Sequence, residues 1–164
     1  METSIDKKCV LALALIACAM VAGPALAQGA SDAQIFTNTK EIKWTDAPPS
    51  MPKGAKVAVL QGDPGKTGPF VIRLKTPAGY KVAPHWHSQD ENLTVLSGTL
   101  YLGMGDKLDT KSAQALSAGG FHFLPGKVHH YAFSKVPTVV QISSNGPFDI
   151  TYINPDDDPQ KAKK

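Results

Sequence analysis

The sequence predicts an all-β fold, built as an antiparallel sandwich or barrel. Eight short runs rich in apolar, β-branched and aromatic residues recur from Lys56 onward. Clusters of Gly, Pro, Asn and Asp separate these runs, as chain reversals between strands require. No segment carries the apolar period of a convincing helix, and Lys111 to Leu116 is expected to add at most one helical turn. Many short strands with regular turns favour two packed sheets or a barrel.

The first element along the chain, residues 1–27, has the pattern of a secretory signal peptide. Lys7 and Lys8 precede an apolar run from Cys9 to Val21, and the small-residue triplet that ends at Ala27 follows. The run is too short to span a bilayer, and the triplet is typical of a signal peptidase site. We therefore expect cleavage after Ala27, a mature chain that begins at Gln28 in the periplasm or outside the cell, and no stable membrane insertion.

A second interpretation of the same segment remains open. Leu15-Ile16-Ala17-Cys18 resembles a lipoprotein cleavage box, which would leave a lipidated Cys18 anchored to a membrane. The apolar run continues past Cys18 and a better cleavage site follows it, so the sequence favours cleavage after Ala27. No Arg pair precedes the run, and export by the twin-arginine route is not indicated.

The composition of the mature chain indicates one domain held together by its core. Both cysteines, Cys9 and Cys18, lie in the leader, so residues 28–164 can form no disulfide. That length suits a single hydrophobic core. The net charge of +3 comes from scattered lysines, with Arg73 as the only arginine. Without a basic stripe the sequence predicts no nucleic-acid partner.

The mature chain divides into three parts by its composition. Residues 28–55 form an extended, proline-rich arm, residues 56–153 the β domain, and residues 154–164 a flexible charged tail that we expect to fray. Within the arm, Ile35 to Trp44 is predicted to be extended, and the prolines after it exclude a central strand. The predicted strands of the β domain are Val57–Gln61, Phe70–Lys75, Asn92–Leu96, Thr99–Gly103, Phe121–Leu124, His129–Ser134, Thr138–Ser143 and Phe148–Ile153.

One stretch of the β domain carries the residues of a metal site. His85 and His87 are two apart, so in a strand they project from one face while Trp86 projects from the other, and Glu91 follows four residues later. Imidazoles and a carboxylate suit a single divalent transition metal ion and leave coordination positions open. A further ligand is expected from elsewhere in the chain.

This spacing resembles the first signature of the cupin superfamily. The signature reads Gly, five residues, His-x-His, three residues, Glu, six residues and Gly, and the stretch from Gly79 to Gly98 matches each fixed position. The resemblance implies a jelly-roll β-barrel across most of Lys56 to Ile153.

The second cupin signature is matched in part. It reads Gly, five residues, Pro-x-Gly, two residues, His, three residues and Asn. Gly119, Pro125 and His130 fit, whereas the turn glycine comes one residue early as Gly126 and Ser134 replaces the Asn. The resemblance implies His130 as the last ligand, and the neighbouring His129 stays open as the alternative because adjacent strand residues face opposite ways.

The resemblance implies a site of His85, His87, Glu91 and His130 that holds one divalent transition metal ion per chain: Fe, Mn, Ni, Zn or Cu. It also implies a small-molecule substrate or ligand, and a homodimer as a common assembly of the family. His122 alternates with two phenylalanines, and a half-buried, hydrogen-bonded histidine is the favoured interpretation over a catalytic role. No acid-base residue beyond the ligands is predicted.

Two functions of different classes follow from these residues. The favoured one is an exported metalloenzyme that acts on a small molecule, of dioxygenase or isomerase type. The alternative is a non-catalytic cupin that binds or senses a small ligand or a metal. Because the fold hosts both, the sequence alone does not choose between them.

Overall fold

The computed structural model describes residue 35 and residues 37–161, and there it shows two antiparallel sheets. The predicted leader lies outside the described residues. None of the described helices is long and apolar enough to cross a membrane. The eleven strands described are β1 Thr45–Asp46, β2 Lys56–Gln61, β3 Gly68–Thr76, β4 Lys81–Trp86, β5 Glu91–Ser97, β6 Thr99–Met104, β7 Gln114–Ser117, β8 Phe121–Leu124, β9 His130–Ser134, β10 Thr138–Gly146 and β11 Thr151–Tyr152.

The strand order is that of a jelly roll. One sheet runs β1-β2-β3-β10-β5-β8 and the other β11-β4-β9-β6-β7. The long strands β3, β5 and β10 alternate buried and more exposed residues over most of their length, as strands with one face toward an apolar interior do. The main cluster of buried apolar side chains contains Phe70, Ile72, Leu93, Val95, Leu100, Leu102, Leu124, Val140 and Ile142. The predicted all-β fold class is confirmed.

Three local predictions differ from the structure. Within Lys111 to Leu116, β7 begins at Gln114 where a helical turn was expected, because antiparallel pairing with β6 supplies partners for its backbone groups. The arm segment before Trp44 includes a 3₁₀ turn at Thr39–Glu41. Between Phe148 and Ile153 only β11 is regular. Phe148 belongs instead to a loop, and its own backbone N–H donates to Pro64 O.

The part of the arm from Thr45 to Ala55 lies across one end of the sheets. Its β1 pairs with β2, and Asp46 forms an ion pair with Lys56 at 2.6 Å. Two buried tyrosines of the β domain hold the segment between them. Tyr80 Oη donates to Pro52 O at 2.7 Å, and Tyr152 Oη donates to Ser50 O at 2.9 Å.

At the other end of the chain, Pro155–Asp157 form a 3₁₀ turn that is capped by the Asn154 side chain.

Candidate metal centre

The structure brings the four sequence-predicted residues together at one end of the interior. His85 lies near the end of β4, His87 directly after that strand, Glu91 begins β5, and His130 begins β9. All four are buried, with exposed fractions of 4%, 8%, 4% and 3% in that order. One nitrogen from each histidine lies within 4.8 Å of the other two. Glu91 Oε2 is 3.8 Å from His87 Nε2 and 3.9 Å from His130 Nε2.

Strand pairing explains how His85 and His130 meet. The two residues are directly opposite each other in the β4–β9 pair, and their ring centroids are 4.2 Å apart. The register between Val82 and His85 contains a β-bulge, so three steps along β4 match two along β9. Without the bulge Val82 and His85 would face opposite sides. Pro84 lies within it, where a missing N–H costs least.

Each histidine is oriented by a backbone carbonyl. Nδ1 of His85 donates to Ala83 O at 2.7 Å, Nδ1 of His130 donates to Val128 O at 3.0 Å, and Nδ1 of His87 donates to Asp149 O. A carbonyl oxygen can only accept a hydrogen bond, so Nδ1 carries the proton in all three rings. Their Nε2 atoms therefore present lone pairs toward one another, the tautomer that metal-binding histidines use.

Burial sets the charge state of these groups. It lowers the pKa of His130 to about 4 and lowers the pKa values of His85 and His87 as well, with the neighbouring rings adding to the effect at His85. The imidazoles are thus neutral at physiological pH, as metal ligation requires. Burial raises the pKa of the Glu91 carboxyl to about 7 because the interior disfavours its negative charge.

The donor set fits a divalent transition metal ion. An ion with bonds of about 2.1 Å holds its donors roughly 3 to 4 Å apart. Glu91 Oε2 lies at such distances from Nε2 of His87 and of His130, and the three histidines each offer a nitrogen within 4.8 Å of the other two. When Glu91 is ionised, its carboxylate oxygens and the three ring lone pairs have no hydrogen to share among them. A cation among them would offset this repulsion, so the cluster could hold a metal.

The two adjacent histidines of the second motif take opposite positions. His130 is buried in the cluster, whereas the His129 side chain is 41% exposed and its Nδ1 is 2.6 Å from Asp106 Oδ1. β9 begins at His130, one residue later than predicted. The geometry therefore leaves His130 as the histidine that can reach the other three residues.

The two departures from the second signature lie in the turn before His130 and at the end of β9. Lys127, at the position of the signature glycine, adopts a left-handed φ of 67°. A Cβ on Gly126 would lie 2.8 Å from Ser88 O, so glycine is required there for close approach to the first motif. At the Asn position Ser134 is buried and its hydroxyl donates to Pro77 O at 3.0 Å, away from the cluster.

Other residues that the sequence singled out lie around the site rather than in it. His122 is half-buried between exposed Phe121 and Phe123, as the alternation predicted. The hydrogen bond expected for its ring is not among those formed within the described part of the chain. Arg73 faces outward and its Nε donates to Gln141 Oε1 at 3.1 Å.

Sequence reasoning missed the loop that supports His87. Phe148 stacks on the His87 ring with centroids 4.4 Å apart, and Asp149 supplies the carbonyl that accepts from it. The Asp149 carboxylate accepts hydrogen bonds from Ser88 N at 2.8 Å and Ser88 Oγ at 2.7 Å, which ties the loop to the first motif. No local pattern marks these residues because they act through a contact made 62 residues along the chain.

A cavity of about 510 Å³ adjoins the cluster. The four cluster residues form part of its wall, and apolar side chains from both sheets form most of the remainder. Pro48 and Met51 of the arm also line it. The volume is in the range of small-molecule sites.

Comparison with known proteins places the chain in a family. A family model described as "Domain of unknown function (DUF4437)" matches residues 28–151. The chain belongs to the DUF4437 family. No curated protein sequence matches this DUF4437 protein.

Several solved structures share the fold of this DUF4437 protein. The polyketide cyclase RemF from Streptomyces resistomycificus is 15% identical, with a TM-score of 0.63 over 77% of this chain and 89% of that one. A candidate acetylacetone dioxygenase from Methylibium petroleiphilum is 19% identical, with a TM-score of 0.58 over 77% and 85%. An RmlC-like cupin from Shewanella frigidimarina is 17% identical, with a TM-score of 0.54 over 69% and 91%. At these identities the likeness shows the fold, which is that of the cupins.

Proposed function

We propose that this protein is an exported cupin metalloenzyme that acts on a small molecule. His85, His87, His130 and Glu91 would hold one divalent transition metal ion. The observation that carries the proposal is the position of the cavity, because a buried space of about 510 Å³ opens directly onto the four converging donors. A purely structural site would be closed by its ligands, whereas this one adjoins room for a substrate.

The chain contributes positioning and water exclusion to such chemistry. Carbonyls of Ala83, Val128 and Asp149 fix the three ring tautomers, so the donors are arranged before any ligand enters. The apolar wall, to which Pro48 and Met51 of the arm contribute, disfavours water in the space beside the donors. When bound, a divalent ion supplies Lewis acidity that makes an acidic group of a substrate easier to ionise.

Turnover by metal-loaded protein tests the proposal. The purified protein is loaded in turn with Fe(II), Mn(II), Ni(II), Zn(II) and Cu(II), and a panel of diols, enols, diketones and thiols is followed by mass spectrometry and an oxygen electrode. We expect loss of at least one substrate, and no loss with His87→Ala. Absence of turnover with every ion would overturn the catalytic assignment.

One observation favours a second function, a non-catalytic protein that binds a small ligand or a metal. Deeper in the cavity, the hydroxyls of Thr76 and Ser134 are engaged by protein atoms, and no group beside the four donors stands out as an acid or base. Binding of a panel compound to the metal-loaded protein without its conversion would support this function over the first.

Export is part of the proposal. The leader pattern supports it, and the family match begins at residue 28, directly after the predicted cleavage point. Intact mass of the protein from a periplasmic fraction should correspond to a chain that begins at Gln28. A lipid-modified mass that begins at Cys18 would establish the anchored form instead, and an uncleaved cytoplasmic chain would overturn export.

A further inference from the structure

The cavity wall beyond the four donors is almost entirely apolar. Both sheets contribute buried aliphatic side chains to it, among them Leu93, Leu102, Ala132, Val140 and Ile142. Phe148 adds an aromatic face beside the donors, since it stacks on His87 and packs edge-on against Phe70. A ligand in this space therefore gains most of its binding free energy by burying apolar surface.

Three hydroxyl groups of the cavity wall, those of Thr76, Tyr80 and Ser134, already direct their hydrogens at protein oxygens. Ser134 Oγ donates to Pro77 O at 3.0 Å, and Thr76 Oγ1 lies 3.1 Å from Ser134 Oγ and 3.4 Å from Thr138 O. Tyr80 Oη donates to Pro52 O. Each hydroxyl carries a single hydrogen, which these protein oxygens already accept. A hydrogen-bond acceptor on the body of a ligand that meets these three hydroxyls would lose its hydrogen bonds to water and gain no donor in return.

The ionisable side chains around the cavity, apart from the histidines, are all acidic. Among the described residues that line it there is no Lys or Arg, while Asp46, Glu91 and Asp149 all carry carboxyl groups. A second charge on an anionic ligand, placed away from the metal, would be buried with no counter-ion, which is strongly unfavourable. Sites that bind such ligands place an arginine or lysine against the anion.

We propose that the ligand of this site is a molecule with an uncharged, apolar body and a head that chelates the metal through two oxygen atoms, such as an alkyl-substituted diol, enol or hydroxyketone. This inference rests on the proposed function, because the head requires the metal. Four protein donors on a six-coordinate ion leave two positions, which a bidentate head fills. The body then lies against the aliphatic wall.

Ala132 is the residue that sets how large this body can be. It lies on β9 two residues after His130, on the same inner face, and pairs with Val82 and Leu102 on the neighbouring strands. Its small side chain leaves space next to the donors. A leucine there would project into the cavity and take the space of the ligand body while leaving the donors in place.

Three catechols that share the chelating head distinguish the effect of an apolar body from that of a second charge. Pyrocatechol has the head alone, 4-butylcatechol adds an apolar chain, and 3-(3,4-dihydroxyphenyl)propanoate adds a chain of similar shape that ends in a carboxylate. Each is titrated into Co(II)-loaded protein, and the change in the visible spectrum of Co(II) gives a dissociation constant. We expect 4-butylcatechol to bind at least about tenfold more tightly than the propanoate and than pyrocatechol.

Two variants sharpen the test. Ala132→Leu should weaken 4-butylcatechol binding at least about tenfold and pyrocatechol binding less than about threefold, whereas Ala115→Leu, on an exposed position of β7, should change neither. Equal or tighter binding of the propanoate, no binding of any catechol to the Co(II) form, or equal losses for both probes in Ala132→Leu would overturn the inference. Failure to bind Co(II) at all would overturn the proposed function as well, so the two failures are distinguishable.

Discussion

The two ends of the cavity both carry buried polar side chains, but they differ in what those side chains bond to. At the inner end, Thr76, Ser134 and Thr138 exchange hydrogen bonds with one another and with backbone carbonyls of the nearby turns. At the other end, His85, His87 and His130 use one ring nitrogen for a carbonyl and direct the second toward a shared space with Glu91. The first set is bonded within the protein, whereas the second presents ring nitrogens and a carboxyl group to one space, where a cation could bind.

Hydrogen-bond partners distinguish a functional site from a structural polar cluster when both are buried. A satisfied polar cluster stabilises the turns that it joins, and its loss costs folding free energy. A cluster whose lone pairs converge costs folding free energy in the metal-free protein and regains it on binding. Substitutions at the two ends should therefore affect different quantities, folding free energy at one and metal affinity at the other.

The largest effect is expected from the neighbouring histidines of the second motif. His130→Ala removes a donor from the buried cluster and should lower metal affinity by more than about 100-fold. His129→Ala, its matched control on the exposed side, should change affinity less than about twofold. Competition with a chelator dye measures both. Loss of metal in His129→Ala with retention in His130→Ala would show that the cluster is not the binding site.

The second effect concerns the stability of the metal-free protein as the pH changes. The low pKa of His130, about 4, means that its contribution is fully present above about 6.5 and is lost as the pH falls toward 4. Glu91 acts in the opposite sense, because its raised pKa of about 7 gives a contribution that is lost as the pH rises from about 4.5 to 7. The lowered pKa values of His85 and His87 add to that of His130, so acidification should prevail.

Urea unfolding in the presence of EDTA measures this dependence. We expect the free energy of unfolding to fall by at least about 1 to 2 kcal/mol between pH 6.5 and 4.5, since one unit of pKa corresponds to about 1.4 kcal/mol. Glu91→Gln removes the opposing group and should make the fall steeper. A free energy of unfolding that rises on acidification would contradict the assigned charge states.

The third effect belongs to the inner end of the cavity. Ser134→Ala removes the donor to Pro77 O and leaves Thr76 with one partner fewer, which should lower the free energy of unfolding by about 1 to 2 kcal/mol. Metal affinity should stay within about twofold of wild type. A marked loss of metal in this variant would mean that the two ends are not independent.

The smallest effect is expected at the turn before His130. Lys127→Gly relieves a left-handed conformation that costs a side chain about 1 kcal/mol, partly offset by the greater freedom of glycine in the unfolded chain. The free energy of unfolding should therefore rise by up to about 1 kcal/mol. Lys107→Gly, in a loop where the residue has no positive φ, should give no gain. A loss in Lys127→Gly would show that the side chain itself supports the turn.

How far the sequence predicts the molecule depends on whether a feature is local. The fold class follows from short apolar runs between turns, and the shared face of His85 and His87 follows from strand alternation. Pro84 is a local signal for a bulge before His85. The bulge itself is defined by pairing with β9, which is distant in the sequence. β7 was missed because pairing with β6, rather than its own residues, makes it a strand.

The residues that position the candidate ligands could not be predicted from the sequence. His87 meets the Asp149 carbonyl and the Phe148 ring because β10, which precedes them, returns beside β5. The arm is held on the cavity wall by hydrogen bonds from Tyr80 and Tyr152. The resemblance favours His130 over its neighbour His129, but the start of β9 is needed to show that His130 is the one that reaches the cluster. A shift of one residue in a strand exchanges its two faces.

The metal content of the purified protein shows whether His85, His87, Glu91 and His130 bind a transition metal ion. Inductively coupled plasma mass spectrometry is applied to wild type and to the His85→Ala/His87→Ala double variant, each as purified and after reconstitution with Fe(II), Mn(II) or Zn(II). The convergence of four buried donors predicts about one transition metal ion per chain in the reconstituted wild type and a loss of most of it in the double variant. No ion in the reconstituted wild type, or equal content in a folded double variant, would contradict the account.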